Sequence, residues 1–181
     1  MGDDQSAAPD LEALMQAYQA GDRQAADTLI GYTSPALYRF FAAQTGDRRH
    51  ADDLLQDAWL RIHKARHTYR PGEPVLPWLY AIARHVKVDA YRRRRSERYE
   101  ETVAEVPERA APFAPERSDV PDLDALLASL PSSQREVISL LKISGLTLEE
   151  VARATSSSVG SVKQKAHRAY EKLRTVLGAH A

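Results

Sequence analysis

The sequence predicts an all-α fold of two small helical domains joined by a flexible acidic linker. Three observations lead there. Apolar residues recur at three- and four-residue steps through most of the 181-residue chain, and no segment alternates apolar and polar residues as a half-buried strand does. Residues 96–121 interrupt that period with Pro107, Pro112, Pro115 and Pro121 and with many acids, a composition too poor in apolar surface to fold by itself. Beyond it, residues 130–178 spell two helices joined by a tight turn, the second basic on its outward side.

Taken in order, residues 1–10 are an acidic tail. Leu11, Leu14, Met15 and Tyr18 share one helical face, and Gly21-Asp22 ends that helix and starts another containing Ala26, Leu29, Ile30 and Thr33. Ser34-Pro35 is expected to cap or kink the next stretch, in which Leu37, Phe40 and Phe41 carry the apolar stripe to Gly46. From Arg49 to about His67, Ala51, Leu54, Leu55, Ala58, Ile62 and Ala65 lie on one face, while Asp53, Gln56, Asp57, Leu60 and Lys64 lie on the other. Residues 68–74 form a loop by their Pro and Gly content. The next helix begins near Pro77 with Trp78, Leu79, Ile82, Ala83 and Val86 as core, and its outer face is cationic through Arg84, Lys87 and Arg94, with Tyr91 between them. These elements place one domain at residues 11–95, the linker at 96–121 and a second domain at 122–181.

In the second domain Leu123, Leu126, Leu127 and Leu130 begin the apolar pattern, and a helix with Val137, Ile138 and Leu141 stops at Gly145. Thr147 and Glu150 have the spacing of a capping box, so a short helix starts at Leu148 and runs to about Ala154. Thr155-Ser156-Ser157-Ser158 breaks it, because short hydroxyl side chains compete for backbone hydrogen bonds. The last helix begins near Val159. Val162, Ala166, Ala169 and Leu173 form its buried face and leave Lys163, Gln164, His167 and Arg168 outward, the side-chain types that meet phosphates and base edges in a major groove. A basic helix pair without a DNA role is the competing reading of this segment.

The formal net charge is zero, but the charges are segregated. Residues 11–95 hold 14 Lys/Arg against 9 Asp/Glu, residues 96–129 hold 3 against 9, and residues 130–181 hold 8 against 4. Two basic blocks flanking an acidic one suggest two surfaces that face a polyanion. The absence of cysteine excludes disulfides and thiolate metal sites, and no run of about 18 apolar residues is present, so a soluble chain without an export signal is expected. His63 and His67 have a zinc-chelating spacing, yet no third ligand is evident; Asp52, Asp53 and Asp57 lack an accompanying phosphate-binding loop. No catalytic residue, metal site or cofactor is expected.

Several strings together resemble the extracytoplasmic-function group of bacterial sigma factors, the promoter-recognition subunits of RNA polymerase. Residues 51–60 (ADDLLQDAWL) resemble the polymerase-binding helix, and residues 69–72 (YRPG) the loop before promoter reading. Residues 78–84 (WLYAIAR) with 89–93 (DAYRR) resemble the helix that reads the minus-10 element. Residues 130–137 and 145–152 resemble the minus-35 domain, with residues 158–163 (SVGSVK) opening its recognition helix. The order and spacing of five such strings cover nearly the whole chain.

The resemblance implies an alternative sigma factor that is not itself an enzyme, works in the bacterial cytoplasm, and leaves bond formation to the polymerase core. It implies that Asp53, Gln56 and Asp57, beside Leu60, face the coiled coil of the largest polymerase subunit, and that the flap of the second-largest is also a partner. It implies minus-10 contacts from Tyr69, Arg70, Arg84, His85, Lys87, Tyr91 and Arg92, with Trp78 either a wedge between bases or, on its apolar stripe, part of the core. His85 stands where many relatives carry Asn. Minus-35 contacts fall to Ser158, Ser161, Lys163, Gln164, His167 and Arg168. Relatives often carry a large aliphatic residue at Ala166 and an apolar one near Ser157, so a less filled core is expected there. An anti-sigma factor, often membrane-bound in the family, is the implied regulator. The rival readings are a stand-alone helix-turn-helix operator regulator and, more distantly, a metal-dependent nucleic-acid enzyme.

Overall fold

A computed structural model describes residues 8–102 and 123–178, and every regular element among them is helical. The expected acidic tail up to residue 7 and the expected linker from residue 103 onward lie outside the described residues. The first domain comprises α1 (Leu11–Gln19), α2 (Arg23–Thr45), α3 (Arg48–Ala65) with a 3-10 turn at Arg66–Thr68, and α4 (Val75–Thr102). The second comprises α5 (Leu123–Ala128), α6 (Ser132–Ile138) running into a π-helical turn at Ser139–Ile143, then α7 (Leu148–Ala154) and α8 (Val159–Gly178).

Side-chain caps set the starts of the first three helices. Asp10 accepts from the Glu12 and Ala13 amides, Asp22 from Gln24 and Ala25, and Asp47 from Arg49, so donors with no helical partner are satisfied. Met15, Leu29, Phe40, Phe41, Leu54, Ala58, Ile62, Leu79 and Val86 then close one core. The Trp59 indole donates to Ser34 Oγ at 2.9 Å and ties α3 to the middle of α2.

Two boundaries differ from expectation. Ser34-Pro35 starts no new helix, because α2 is continuous from Arg23 to Thr45 with Pro35 inside it, so the cap of the expected cap or kink is not formed. Pro35 and Gly31 are both exposed, so the Gly31 carbonyl that loses its partner can be hydrated, while Leu29, Leu37, Phe40 and Phe41 hold the helix down on its other side. At its end α4 runs seven residues into the expected linker, to Thr102. Residues 96–102 contain neither Pro nor Gly, and their Glu and Arg residues favour continuing the helix.

The second domain follows the sequence closely. Thr147 and Glu150 form both halves of the capping box, and Val162, Ala166 and Ala169 are buried on α8 with Leu173 partly so. The turn from α7 to α8 is a Schellman motif: the Ser156 amide donates to Arg153 O at 3.1 Å and the Ser157 amide to Ala152 O at 2.9 Å. Ser156 adopts φ +50 there, in the left-handed region usually given to glycine. The π-helical turn is not legible from periodicity. It buries Ser139 fully and packs against α2, while α4 packs along α7, so the two domains share an extended seam.

Because Ser156 pays left-handed strain without any side-chain bond to offset it, Ser156→Gly is expected to stabilise the protein by about 0.5–1 kcal/mol. Urea unfolding followed by circular dichroism checks this; equal or lower stability contradicts it.

Candidate nucleic-acid interface

Three surfaces carry the residues singled out in the sequence. On α3, Asp53, Gln56 and Leu60 are exposed in a row, Leu60 at 61%. Asp57 continues the row half-buried and meets Arg93 of α4 at 3.4 Å, an exposed pair that contributes little to stability. An exposed leucine inside an acidic and polar ridge suits a protein partner with complementary charge.

The second surface is α4 with the loop before it. Gln19 donates to the Arg66 and Tyr69 carbonyls at 2.7 and 2.9 Å, pinning the loop to α1, and Gly72 makes the turn at φ +86. Tyr69 is buried rather than presented: its hydroxyl donates to Glu73 O and its ring stands edge-on to Trp78 at 5.7 Å. Burial first, then the carboxylates of Glu12, Glu73 and Asp10, push the Tyr69 hydroxyl above its ordinary range. Arg70 is exposed beside it. Trp78 is half-buried and, with Tyr69, Arg70, Glu73, Ala81 and Arg153, lines a cleft of about 400 Å³.

Along α4 the expected minus-10 set divides. Arg84, Lys87 and Tyr91 share one face, and Tyr91 is 67% exposed. Arg92 lines a cleft of about 620 Å³ with them, whereas His85 lies on the neighbouring face and shares a cleft with Arg61, Lys64 and Asp89. Arg61 donates to Asp89 at 2.6 Å, and that hydrogen bond holds the Asp89 carboxyl below its ordinary range. Arg84 and Lys87 are not free. Glu136 of α6, 7% exposed, accepts from Lys87 Nζ at 2.5 Å and from Arg84 Nε at 3.1 Å. Lys87 also lies over the Phe40 ring at 5.9 Å and reaches Gln44 Oε1 at 3.4 Å.

Glu136, Gln44, Arg153 and Tyr80 are participants that the sequence reading missed. Gln44 donates to Ser139 Oγ at 3.0 Å and its carbonyl accepts from Arg135, so it joins both domains. Arg153 of α7 meets Glu73 at 3.5 Å at the rim of the 400 Å³ cleft. Tyr80 is buried, and burial raises its hydroxyl above the usual range. No sequence signal marks Glu136, since an acid beside an apolar stripe reads as solvated. His50 borders the same seam. Burial and then Arg94 lower its pKa, partly opposed by Asp47 and Asp53, so it adds no charge there at neutral pH.

The third surface is α8. Ser158 Oγ accepts from the Ser161 amide at 3.1 Å and starts the helix, and Lys163, Gln164, His167 and Arg168 are all exposed. His167 Nε2 lies 3.5 Å from Glu171. Ala166 is buried at one wall of a cleft of about 520 Å³ shared with Leu141, Leu146 and Leu148. His63, one of the two histidines at chelating spacing, has its Nδ1 2.7 Å from the Tyr18 hydroxyl, which gives that nitrogen a hydrogen-bonding role inside the fold. Among the described residues no helix is long and apolar enough to cross a membrane.

Comparison with known proteins places these surfaces in context. Family models for sigma-70 region 2 and sigma-70 region 4 match residues 29–97 and 122–173. The RNA polymerase sigma factor CarQ of Myxococcus xanthus is 34% identical over 171 residues, covering 91% of this chain and 95% of that protein. The ECF RNA polymerase sigma factor SigD of Mycobacterium tuberculosis is 34% identical over 175 residues, covering 91% and 82%. Among solved structures, CnrH in complex with the cytosolic domain of CnrY aligns with TM-score 0.73 and 26% identity over 94% of this chain and 98% of that one. The sigma factor RpoE of Bartonella quintana, in complex with the anti-sigma factor NepR, aligns with TM-score 0.68 and 25% identity over 84% and 96%.

The Arg61–Asp89 pair gives a pH test with a fixed sign. A carboxyl held below its unfolded value contributes stability above the ordinary carboxylate range and loses it as pH falls through the depressed value. Arg61→Ala is expected to return the Asp89 titration upward to near its ordinary value of 3.8, followed by carboxyl carbon NMR. A titration unchanged by the substitution contradicts the assignment.

Proposed function

Because the chain belongs to the extracytoplasmic-function group of the sigma-70 family of RNA polymerase sigma factors, we propose that its three surfaces divide the work of promoter recognition among them. As an alternative sigma factor it binds core RNA polymerase and directs initiation at specific promoters. The bond-forming chemistry belongs to the polymerase, and the place of action is the cytoplasm. The domain that begins at residue 11 serves the polymerase and the minus-10 element, the linker begins beyond α4, and residues 122–181 serve the minus-35 element.

Asp53, Gln56, Asp57 and Leu60 are assigned to the coiled coil of the largest polymerase subunit. Their exposure on one side of α3 supports this, and the charge there sets orientation and on-rate more than affinity. The minus-10 strand is assigned to α4 and its loop. Arg84, Lys87 and Arg92 supply a cationic track, Tyr91 an exposed ring for stacking, and Arg70 a cation beside the 400 Å³ cleft, where Trp78 offers an apolar wall for an extruded base. Tyr69 acts by holding that loop from below. His85 sits on the neighbouring face and would contact the strand there.

The observation that carries the reading is α8, which buries Val162, Ala166 and Ala169 and turns Lys163, Gln164, His167 and Arg168 to solvent. Ser158, Ser161, Lys163 and Arg168 position it on phosphates, while Gln164 and His167 reach base edges in the minus-35 groove. Core polymerase is also assigned a contact through the flap of its second-largest subunit. An anti-sigma factor is proposed as regulator, on the strength of the similar sigma factor solved with one.

The direct test mixes the chain with core polymerase and a genomic fragment library and maps transcript starts. Starts that depend on this chain and share two upstream elements are expected; starts independent of it overturn the reading. At the minus-35 element, Lys163→Ala is expected to weaken binding evenly across promoter variants, whereas Gln164→Ala relaxes preference at one position by about 1–3 kcal/mol. Binding measured across a panel of single-base variants separates the two, and identical profiles contradict the division of labour.

A further inference from the structure

The five Lys and Arg residues of α8 suit a helix that lies on a polyanion, and its one acid, Glu171, does not. A carboxylate there is repelled by every phosphate it approaches, so it lowers affinity unless it serves a neighbour. Lys163, His167 and Glu171 stand at four-residue steps and form one exposed ridge. Along it Glu171 Oε1 lies 3.5 Å from His167 Nε2. Among the described residues this is the ion pair that the carboxylate makes, although Arg168 and Arg174 stand three residues to either side of it.

In water the pair contributes little to stability, because its side chains are 73% and 58% exposed. A duplex laid along α8 displaces that water, and the attraction strengthens as the local dielectric falls. Closing the gap by about 0.5 Å makes it a hydrogen bond. On its inner side His167 borders the cleft of about 520 Å³, whose charged members Lys142 and Lys163 can only donate. Glu171 is therefore the charged neighbour able to accept from the ring.

Imidazole chemistry gives the pair its consequence. In a neutral ring one nitrogen carries the proton and the other accepts, and the partner of the first decides which is which. A carboxylate at Nε2 keeps the proton there and leaves Nδ1 as the acceptor. In the major groove an acceptor finds a donor in the exocyclic amino group of adenine or cytosine, and meets acceptors on guanine and thymine.

We infer that Glu171 is a positioning residue for minus-35 reading. It holds His167 with the proton on Nε2, so that Nδ1 selects adenine or cytosine over guanine or thymine on the strand it faces. The inference rests on the assignment of His167 to a base edge made above, which the same experiment tests separately.

That experiment measures equilibrium binding of holoenzyme to duplexes carrying each single-base change across the minus-35 element. The parent is expected to prefer adenine or cytosine about fivefold at one position, the low end for a base contact. His167→Ala should flatten that position, and an unchanged panel removes the base-edge assignment whatever Glu171 does. Glu171→Ala should bind every duplex more tightly, because a carboxylate has left the phosphates, and should flatten the same position to within about twofold. Glu171→Gln removes the same charge but keeps an oxygen acceptor at the same reach, so it should gain the affinity and keep the preference. Adding Glu171→Ala to His167→Ala should flatten no further position. A uniform gain with the preference intact in Glu171→Ala overturns the proposal, as does equal flattening in the Ala and Gln variants. A parent preference for guanine or thymine at the position that His167→Ala flattens overturns it as well.

Discussion

Glu136 is the residue on which the relation between the two domains turns. A carboxylate 7% exposed must be paired, since an ionised group removed from water without partners costs several kcal/mol. Its partners come from α4 of the other domain, and those partners are themselves fixed: Lys87 rests on the Phe40 ring and reaches Gln44, and Phe40 meets Tyr80 edge-on at 5.4 Å. The ion triad therefore grows directly out of the first domain's core. It carries the position of that core across the seam to α6, and through the π-helical turn to α7 and α8.

This constraint links packing to function. Arg84 and Lys87, on the basic face of α4, are tied through Glu136 to the second domain. The outward row of α8 and the acidic ridge of α3 remain open to solvent.

What was legible in the sequence follows from where each signal resides. Helix faces are local, so the buried row of α8, the capping box at Thr147 and Glu150, and the core stripe of α3 all stand as the spacing predicts. The family resemblance was equally legible, because motif strings are local too, and it removes the stand-alone operator regulator as a rival. The seam was not, because Glu136 meets Arg84 and Lys87 across about 50 positions of chain and nothing in its own surroundings marks it as buried. Tyr69 misled for the same reason: an aromatic residue in a Pro- and Gly-rich loop reads as exposed, and only the Trp78 and Glu73 contacts reveal it as a support. Pro35 shows tertiary packing overriding a local breaker, since buried residues on both sides hold α2 continuous.

The constraint is measured most directly by the distance between the domains in the parent chain and in Glu136→Ala. The chain has no cysteine, so one spin label can be placed in each domain at a single introduced thiol, away from the seam. Double electron–electron resonance on the parent chain is expected to give one narrow, short distance population, and on Glu136→Ala a broader and longer one. The same distribution in both chains would contradict the account, because it would mean that the Glu136 triad does not fix the relation between the domains.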